Sequence, residues 1–257
     1  MRGKDCVGGI VGEVAYNYSS SNYHFEECTV ETTTSDDRYH ILGANNVGGI
    51  VGSGSTSTYS SWNNLYINDC HVLRCNIIGT NYVGGITGLA YSNYINKFSN
   101  CEYLGTLDGY RYVGGITGNA GSITASKVVA NINCEADNAG GLSGDGANVV
   151  ACYVDGTITC SNGNAESLYG MTSSWGITFS YSTMQCNHSV FKPLGNESAY
   201  NNYSYSIYDA DIDKIKQIYE DSYNNKIDYW NFNKTWTWAG VVNGKQKSVV
   251  LPRLAWE

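Results

Sequence analysis

Val47-Gly48-Gly49-Ile50-Val51-Gly52 decides the fold of this chain, because the same six-residue pattern stands at Val7 to Gly12, Val83 to Gly88 and Val113 to Gly118. Ala139-Gly140-Gly141-Leu142-Ser143-Gly144 is a fifth copy, and Leu168-Tyr169-Gly170-Met171-Thr172-Ser173 reads as a worn sixth. Successive starts lie 40, 36, 30, 26 and 29 residues apart. A period of that size marks stacked units, each unable to bury its apolar face alone, with loops of variable length absorbing the irregularity. A phosphate cradle does not fit: the Gly-Lys-Ser/Thr ending is absent, and a nucleotide site would occur once rather than six times.

A second strand precedes each later copy. Cys101, Tyr103, Gly105 and Leu107 alternate along one face, as do Ser126, Val128, Ala130, Ile132 and Cys134, and then Cys152, Val154, Gly156, Ile158 and Cys160. Period-2 alternation turns these residues to the core and Glu102, Asn131, Asp155 and Thr157 away from it. Stacking then predicts a column of small side chains, Cys28, Cys70, Cys101, Ser126, Cys152 and Thr178, and an aliphatic ladder of Ile10, Ile50, Ile86, Ile116, Leu142 and Met171. The glycine pair lets the backbone bend at a corner or approach the opposite wall where a Cβ would collide. The expectation is an all-β, right-handed parallel β-solenoid (β-helix) of about five to six coils over residues 1–189. Residues 190–257 are expected to form a C-terminal capping segment, because a stack end exposes unpaired backbone.

Composition agrees. Two prolines, 15% charged residues, 30 glycines and 22 tyrosines favour short strands and turns over helices. A formal net charge of -8 with scattered Lys and Arg gives no nucleic-acid footprint and no basic membrane surface. No apolar run of about 18 residues is present to span a membrane, and no basic-then-apolar leader opens the chain. Met1 runs within a few residues into the middle of a repeat, so the chain reads as the C-terminal part of a longer protein with any export signal or anchor outside it.

The Gly-Gly-aliphatic-x-Gly unit behind a cysteine-bearing strand, over about residues 5 to 175, resembles the GLUG motif, which occurs in tandem in bacterial surface and secreted proteins, many from Bacteroides-like organisms. The resemblance implies a β-solenoid at the cell surface with adhesin-like character, and it brings no catalytic residues. The tail resembles the segments that close such arrays. Asp209, Asp211 and Asp213 lead into Ile212, Ile215, Ile218 and Tyr219 as a short amphipathic helix with acids at its positive end. Trp230, Trp236, Trp238 and the run Val249 to Trp256 follow as an aromatic hairpin.

The nine cysteines lack paired Cys-x-x-Cys spacing for a metal, and adjacent parallel strands suit disulfide torsions poorly, so buried free thiols are expected. No cofactor, metal or catalytic motif is indicated; Asp209-Ala210-Asp211-Ile212-Asp213 lacks the glycine and distal glutamate of a calcium loop. His24, His40, His71 and His188 show no ligand spacing and read as surface residues. Loops from the glycine motif to the cysteine strand shrink along the chain: 21, 23 and 18 residues, then 13, 13 and 10. The long ones carry Tyr16, Tyr18, Tyr23, Tyr59, Trp62, Tyr66, Tyr91 and Tyr94 among Ser and Asn, the composition of adaptable binding surfaces. These eight residues are the candidate ligand-binding set, with a host or bacterial surface glycan or protein as partner. Two alternatives stand beside this one: a β-helix lyase or hydrolase using Glu102, Asp108 and Asp155, and a purely structural stalk.

Overall fold

The computed structural model describes residues 1–14, 22–33, 38–54, 64–90, 96–119, 121–166, 168, 170, 177–178, 180–182, 184–186, 205–206, 236–242 and 245–254. Among these residues the chain is all-β, with no helix, and so none long and apolar enough to cross a membrane. The proposed helix around Ile212 to Tyr219 lies outside the described residues, as does Trp230.

Three parallel sheets carry the repeats, an arrangement consistent with the β-helix class. Within one repeat the chain passes from a short strand such as Asn64–Asn68 to the cysteine-side strand His71–Ile78, then to the glycine strand Asn81–Gly84, then to Thr87–Leu89. Each strand pairs with its counterpart one repeat away: Val47 with Val7 and Val83, Val72 with Val30 and Tyr103, Phe98 with Ile67 and Ile123. From Lys127 onward the cysteine-side and glycine strands fuse, so that Lys127–Gly140 and Tyr153–Glu166 pair along nearly their whole length. The parallel pairing continues through Tyr181–Ser182 to Tyr205–Ser206. Trp236–Val242 and Lys245–Leu254 form a separate antiparallel hairpin where the aromatic hairpin was expected.

The glycine motif is a steric requirement. A Cβ on Gly49 would lie 2.1 Å from Gly85 O of the next repeat and 2.6 Å from Val72 Cγ2 across the interior; on Gly85 it would lie 2.1 Å from Gly115 O and 2.3 Å from Tyr103 Cγ. No side chain fits between the corner and the opposite wall. At this corner the amides of the aliphatic residue and of the one after it point toward the following repeat. Ile10, Ile50, Ile86, Ile116 and Leu142 each donate an amide to the carbonyl of the equivalent residue in the following repeat, and the next amide along donates to that same carbonyl. A second corner turns on a single left-handed residue, Glu27, Asp69, Asn100, Ala125 or Ala151, with φ between 47° and 54°. Asp and Asn tolerate that conformation better than other residues with a Cβ, which suits Asp69 and Asn100.

The core column behind this corner is Cys28, Cys70, Cys101, Ser126, Cys152 and Ser180. Thr178 pairs instead with Val150 in the short-strand sheet, and Ser180 Oγ accepts the Cys152 amide at 2.9 Å as Ser126 Oγ accepts that of Cys101 at 3.1 Å. The sixth glycine-motif copy also begins earlier than the sequence suggested. Ala139 pairs with Ala165 and Gly140 with Glu166, while the amides of Leu142 and Ser143 donate to Leu168 O, so the copy is Ala165 to Gly170. Leu168, not Met171, therefore ends the aliphatic ladder. Ile50, Ile86, Ile116, Leu142 and Leu168 are buried, whereas Ile10 in the first copy is 47% exposed, with no repeat stacked on it among the described residues. Measured from Ala165 to Ser180 the last connection is 15 residues, so the shrinkage of the loops stops at the fourth repeat.

Candidate functional site

Of the eight candidate binding residues, Tyr23 and Tyr66 are described, and both lie on strands rather than in loops. Tyr16, Tyr18, Tyr59, Trp62, Tyr91 and Tyr94 lie outside the described residues. Asn22–Glu26, Asn64–Asn68, Lys97–Ser99, Ser122–Thr124 and Asn148–Val150 make up a parallel sheet, completed by Ile177–Thr178, that sequence reasoning had absorbed into the connections. Its signal was present: Leu65 and Ile67, then Phe98, then Ile123, alternate with polar residues over stretches too short to stand out.

Alternation divides this sheet. Phe25, Ile67, Phe98, Ile123 and Val149 form its inner column, and Tyr23 packs against the core in register with Leu65. The outer column is His24, Tyr66, Lys97, Ser122 and Asn148. The His24 and Tyr66 rings stack with centroids 4.7 Å apart and an interplanar angle of 8°. Lys97 Nζ lies 5.8 Å from the Tyr66 centroid on the adjoining strand, within cation–π range. Beside them run Glu26, Asn68, Ser99 and Thr124; His24 Nδ1 is 3.7 Å from Glu26 Oε1, and Ser99 Oγ donates to Asn68 Oδ1 at 2.5 Å. Parallel strands repeat at about 4.8 Å, so the face presents polar groups as a comb of fixed pitch. Both faces of the Tyr66 ring are occupied within the ladder. It offers a ligand its edge and hydroxyl, and the stack holds that edge in place.

A second aromatic group stands on the glycine strand. Tyr82 and Tyr112, each just before the Val of a motif copy, stack at 5.0 Å and 8°, and Arg111 lies over the Tyr110 ring at 5.4 Å while pairing with Asp137 at 2.9 Å. Sequence reasoning passed over these tyrosines, although their fixed place before Val83 and Val113 makes stacking a direct consequence of the register.

The three carboxylates weighed for catalysis are not brought together. Glu102 and Asp108 lie six residues apart on one strand, about 20 Å at roughly 3.3 Å per residue, and Asp155 stands in register with Leu104 two repeats away, about 12 Å from Glu102. Asp108 accepts from Tyr39 Oη at 2.6 Å and Asn133 Nδ2 at 2.7 Å, and Asp155 accepts its neighbour's amide at 2.9 Å. Glu102 was expected to face solvent and is 3% exposed. It sits between His71 Nδ1 and Lys127 Nζ, both at 3.6 Å, in the column of residues that follows the cysteines. His71 accordingly borders a buried carboxylate and is mostly covered, unlike the surface histidine expected.

All nine cysteines are free thiols. Cys70, Cys101 and Cys152 each place Sγ within reach of two carbonyls, one two residues back and one in the preceding repeat, at 3.2 to 3.5 Å. Burial pushes the Cys101 thiol well above the ordinary range, and the Cys70 and Cys152 thiols up to about 12. Such thiols are neutral and unreactive. No family model, no curated protein and no solved structure matches this chain.

Proposed function

We propose that the chain is a right-handed parallel β-solenoid of five to six coils, closed by its C-terminal segment. In this proposal it serves as a non-catalytic, adhesin-like recognition module at an extracellular or outer-membrane surface, with a glycan or protein as ligand. The observation that carries the binding role is the His24–Tyr66–Lys97 ladder. These large side chains with hydrogen-bonding groups sit in register on the outer side of a sheet whose inner side is core. The candidate residues Tyr59 and Trp62 precede Asn64–Asn68 in sequence, and Tyr91 and Tyr94 precede Lys97–Ser99. The resemblance to GLUG-motif repeats supports the surface location. A comb of donors and acceptors at constant pitch suits an extended, periodic ligand, since each rung can meet an equivalent group.

The test is a glycan array and a cell-attachment assay on the purified chain, repeated with Tyr66→Ala and Lys97→Ala combined. Losing an aromatic anchor and its cation commonly costs about 2 kcal/mol or more, roughly 30-fold in affinity. The expected result is that loss, with the melting temperature changed by only a few degrees. Unaltered attachment of the double variant would remove this face from the binding site.

A further inference from the structure

The outward face of the short-strand sheet changes character along the stack. On its first two strands the polar side chains answer one another: Asn64 Nδ2 donates to Asn22 Oδ1 at 2.7 Å, His24 stands 3.7 Å from Glu26, and Asn68 accepts from Ser99. The carboxylates Glu26, Glu27 and Asp69 belong to this part. Beyond it they stop. Residues 96–100, 121–126 and 147–151 hold Lys97–Ser99, Ser122–Thr124 and Asn148–Val150 with their flanking turns, and they contain no Asp or Glu. Their one charge is Lys97, in a chain with 23 acids to 15 bases. Lys97 is exposed, and among the described residues no carboxylate pairs with it. Its ammonium stands 5.8 Å from the Tyr66 centroid, a contact that leaves the hydrogens directed away from the ring able to donate. The partly exposed side chains of Ser122, Thr124 and Asn148 make no hydrogen bond among the described residues. The ladder also steps down here, from the long side chains of His24, Tyr66 and Lys97 to the short ones of Ser122 and Asn148, at about 4.8 Å per strand. A ring resting over Ser122 is therefore flanked by Lys97 on one side and Asn148 on the other.

We infer that the ligand of this face is an acidic glycan, a linear chain in which uronic acid alternates with neutral sugar. Its carboxylate pairs with Lys97, and its hydroxyls meet Ser122, Thr124 and Asn148. This inference rests on the recognition role proposed above and names the class of ligand. Charge complementarity selects the occupant. A carboxylate needs a cation not already paired and no like charge beside it; Lys97 meets both conditions, and His24, with Glu26 at 3.7 Å, does not. A neutral chain would leave the ammonium unmatched, and a basic one would meet it with like charge. The spacing selects the pattern. One cation followed by two strands of neutral hydrogen-bonding groups suits one carboxylate followed by a neutral sugar, whereas a chain charged at every sugar would set further carboxylates against groups that carry no charge.

The test presents the full chain with linear oligosaccharides of alternating uronic acid and N-acetylhexosamine, beside copies of the same chains whose carboxylates have been reduced to alcohols. The expected result is binding of the acidic form at least about ten-fold tighter than of the reduced form, the worth of one charge-assisted hydrogen bond. Lys97→Gln should lower affinity for the acidic form to that for the reduced form, and Lys97→Arg should keep the preference. Because Lys97 is exposed, an unchanged melting temperature is the control for folding in both variants. Ser122→Val combined with Asn148→Val should weaken both glycan forms by the same factor, since it removes partners of hydroxyls that the two share. Equal affinity for the acidic and reduced forms would overturn the inference and leave the recognition role standing, and so would a preference that survives Lys97→Gln. Binding of neither form would also overturn it. The cell-attachment assay then separates the two readings: attachment lost with Tyr66→Ala and Lys97→Ala keeps this face as the site for another ligand, and attachment unaltered removes both.

Discussion

A thiol at the left-handed corner does two things at once: it fills a small core position and it places a weak donor beside carbonyls that the turn leaves crowded together. Cys101 Sγ lies 3.3 Å from Ile67 O and 3.4 Å from Ser99 O, and where the column holds serine instead, Ser126 Oγ donates to Thr124 O at 2.9 Å. The cost of this device appears at high pH. Cys152 is pushed up to about 12 by desolvation, so the folded chain keeps a proton that the unfolded chain releases near the ordinary thiol value. Its contribution is complete below about pH 8.5 and is lost as pH rises toward the folded value, with a slope approaching 1.4 kcal/mol per pH unit for one proton. Urea unfolding of the chain should therefore weaken between about pH 9 and pH 11. Cys152→Ala, less stable at pH 7 by about 1 kcal/mol for its lost volume and contacts, should show a decline shallower by one proton; an unchanged slope would show that the thiol ionises freely in the folded state.

Along single strands, alternation says which side a residue faces and not whether that side is covered, which is why the sequence placed Glu102 correctly outward and wrongly in water. The register puts Glu102 between His71 and Lys127, and desolvation makes the column sensitive to partial removal. Glu102→Ala is expected to cost about 3–5 kcal/mol in urea denaturation because it removes the carboxylate 3.6 Å from the largely covered Lys127 ammonium; Glu102→Leu with Lys127→Met should recover most of that loss. If Glu102→Ala proves neutral, water reaches the column and the pair is a surface one. Five copies of the glycine motif and most of the cysteine column were legible because steric necessity fixes those residue types: Gly85 faces Tyr103, and no larger residue fits. The sixth copy was misplaced by three residues because Glu166 and Ser167 replace its glycine pair, and Gly170 was matched to the second glycine of the motif instead of the third. The short-strand sheet escaped because Lys97–Ser99 and Ser122–Thr124 are three residues each, below the length at which a period can be recognised.

At the level of the whole molecule, strands that pair only with their counterparts one repeat away make stability close to a sum over repeats and their interfaces, so that a complete repeat is a removable part. The register identifies where to cut. Gly79 and Gly109 hold equivalent places at the corner before the glycine strand, Gly79 packing against Val47 and Val83 and Gly109 against Val83 and Val113. Deleting residues 79–108 joins Ile78 to Gly109 and removes one whole repeat. His71–Ile78 then meets Lys127–Gly140, and Asn45–Gly48 meets Arg111–Gly114, as their former neighbours did. The removal takes Gly85 together with Tyr103, the large side chain that requires it, so the opposed pair leaves together and Gly49 still faces Val72. The shortened chain is expected to keep a β-type circular dichroism spectrum and a single cooperative transition, with a lower melting temperature from the lost interface. Deleting residues 79–93 should instead aggregate, since it removes Asn81–Gly84 and Thr87–Leu89 but keeps Lys97–Ser99 and Glu102–Gly109 with no corner to follow Ile78. If both deletions unfold the chain alike, the repeats are not interchangeable units, and the sheets are held by contacts that the register alone does not describe.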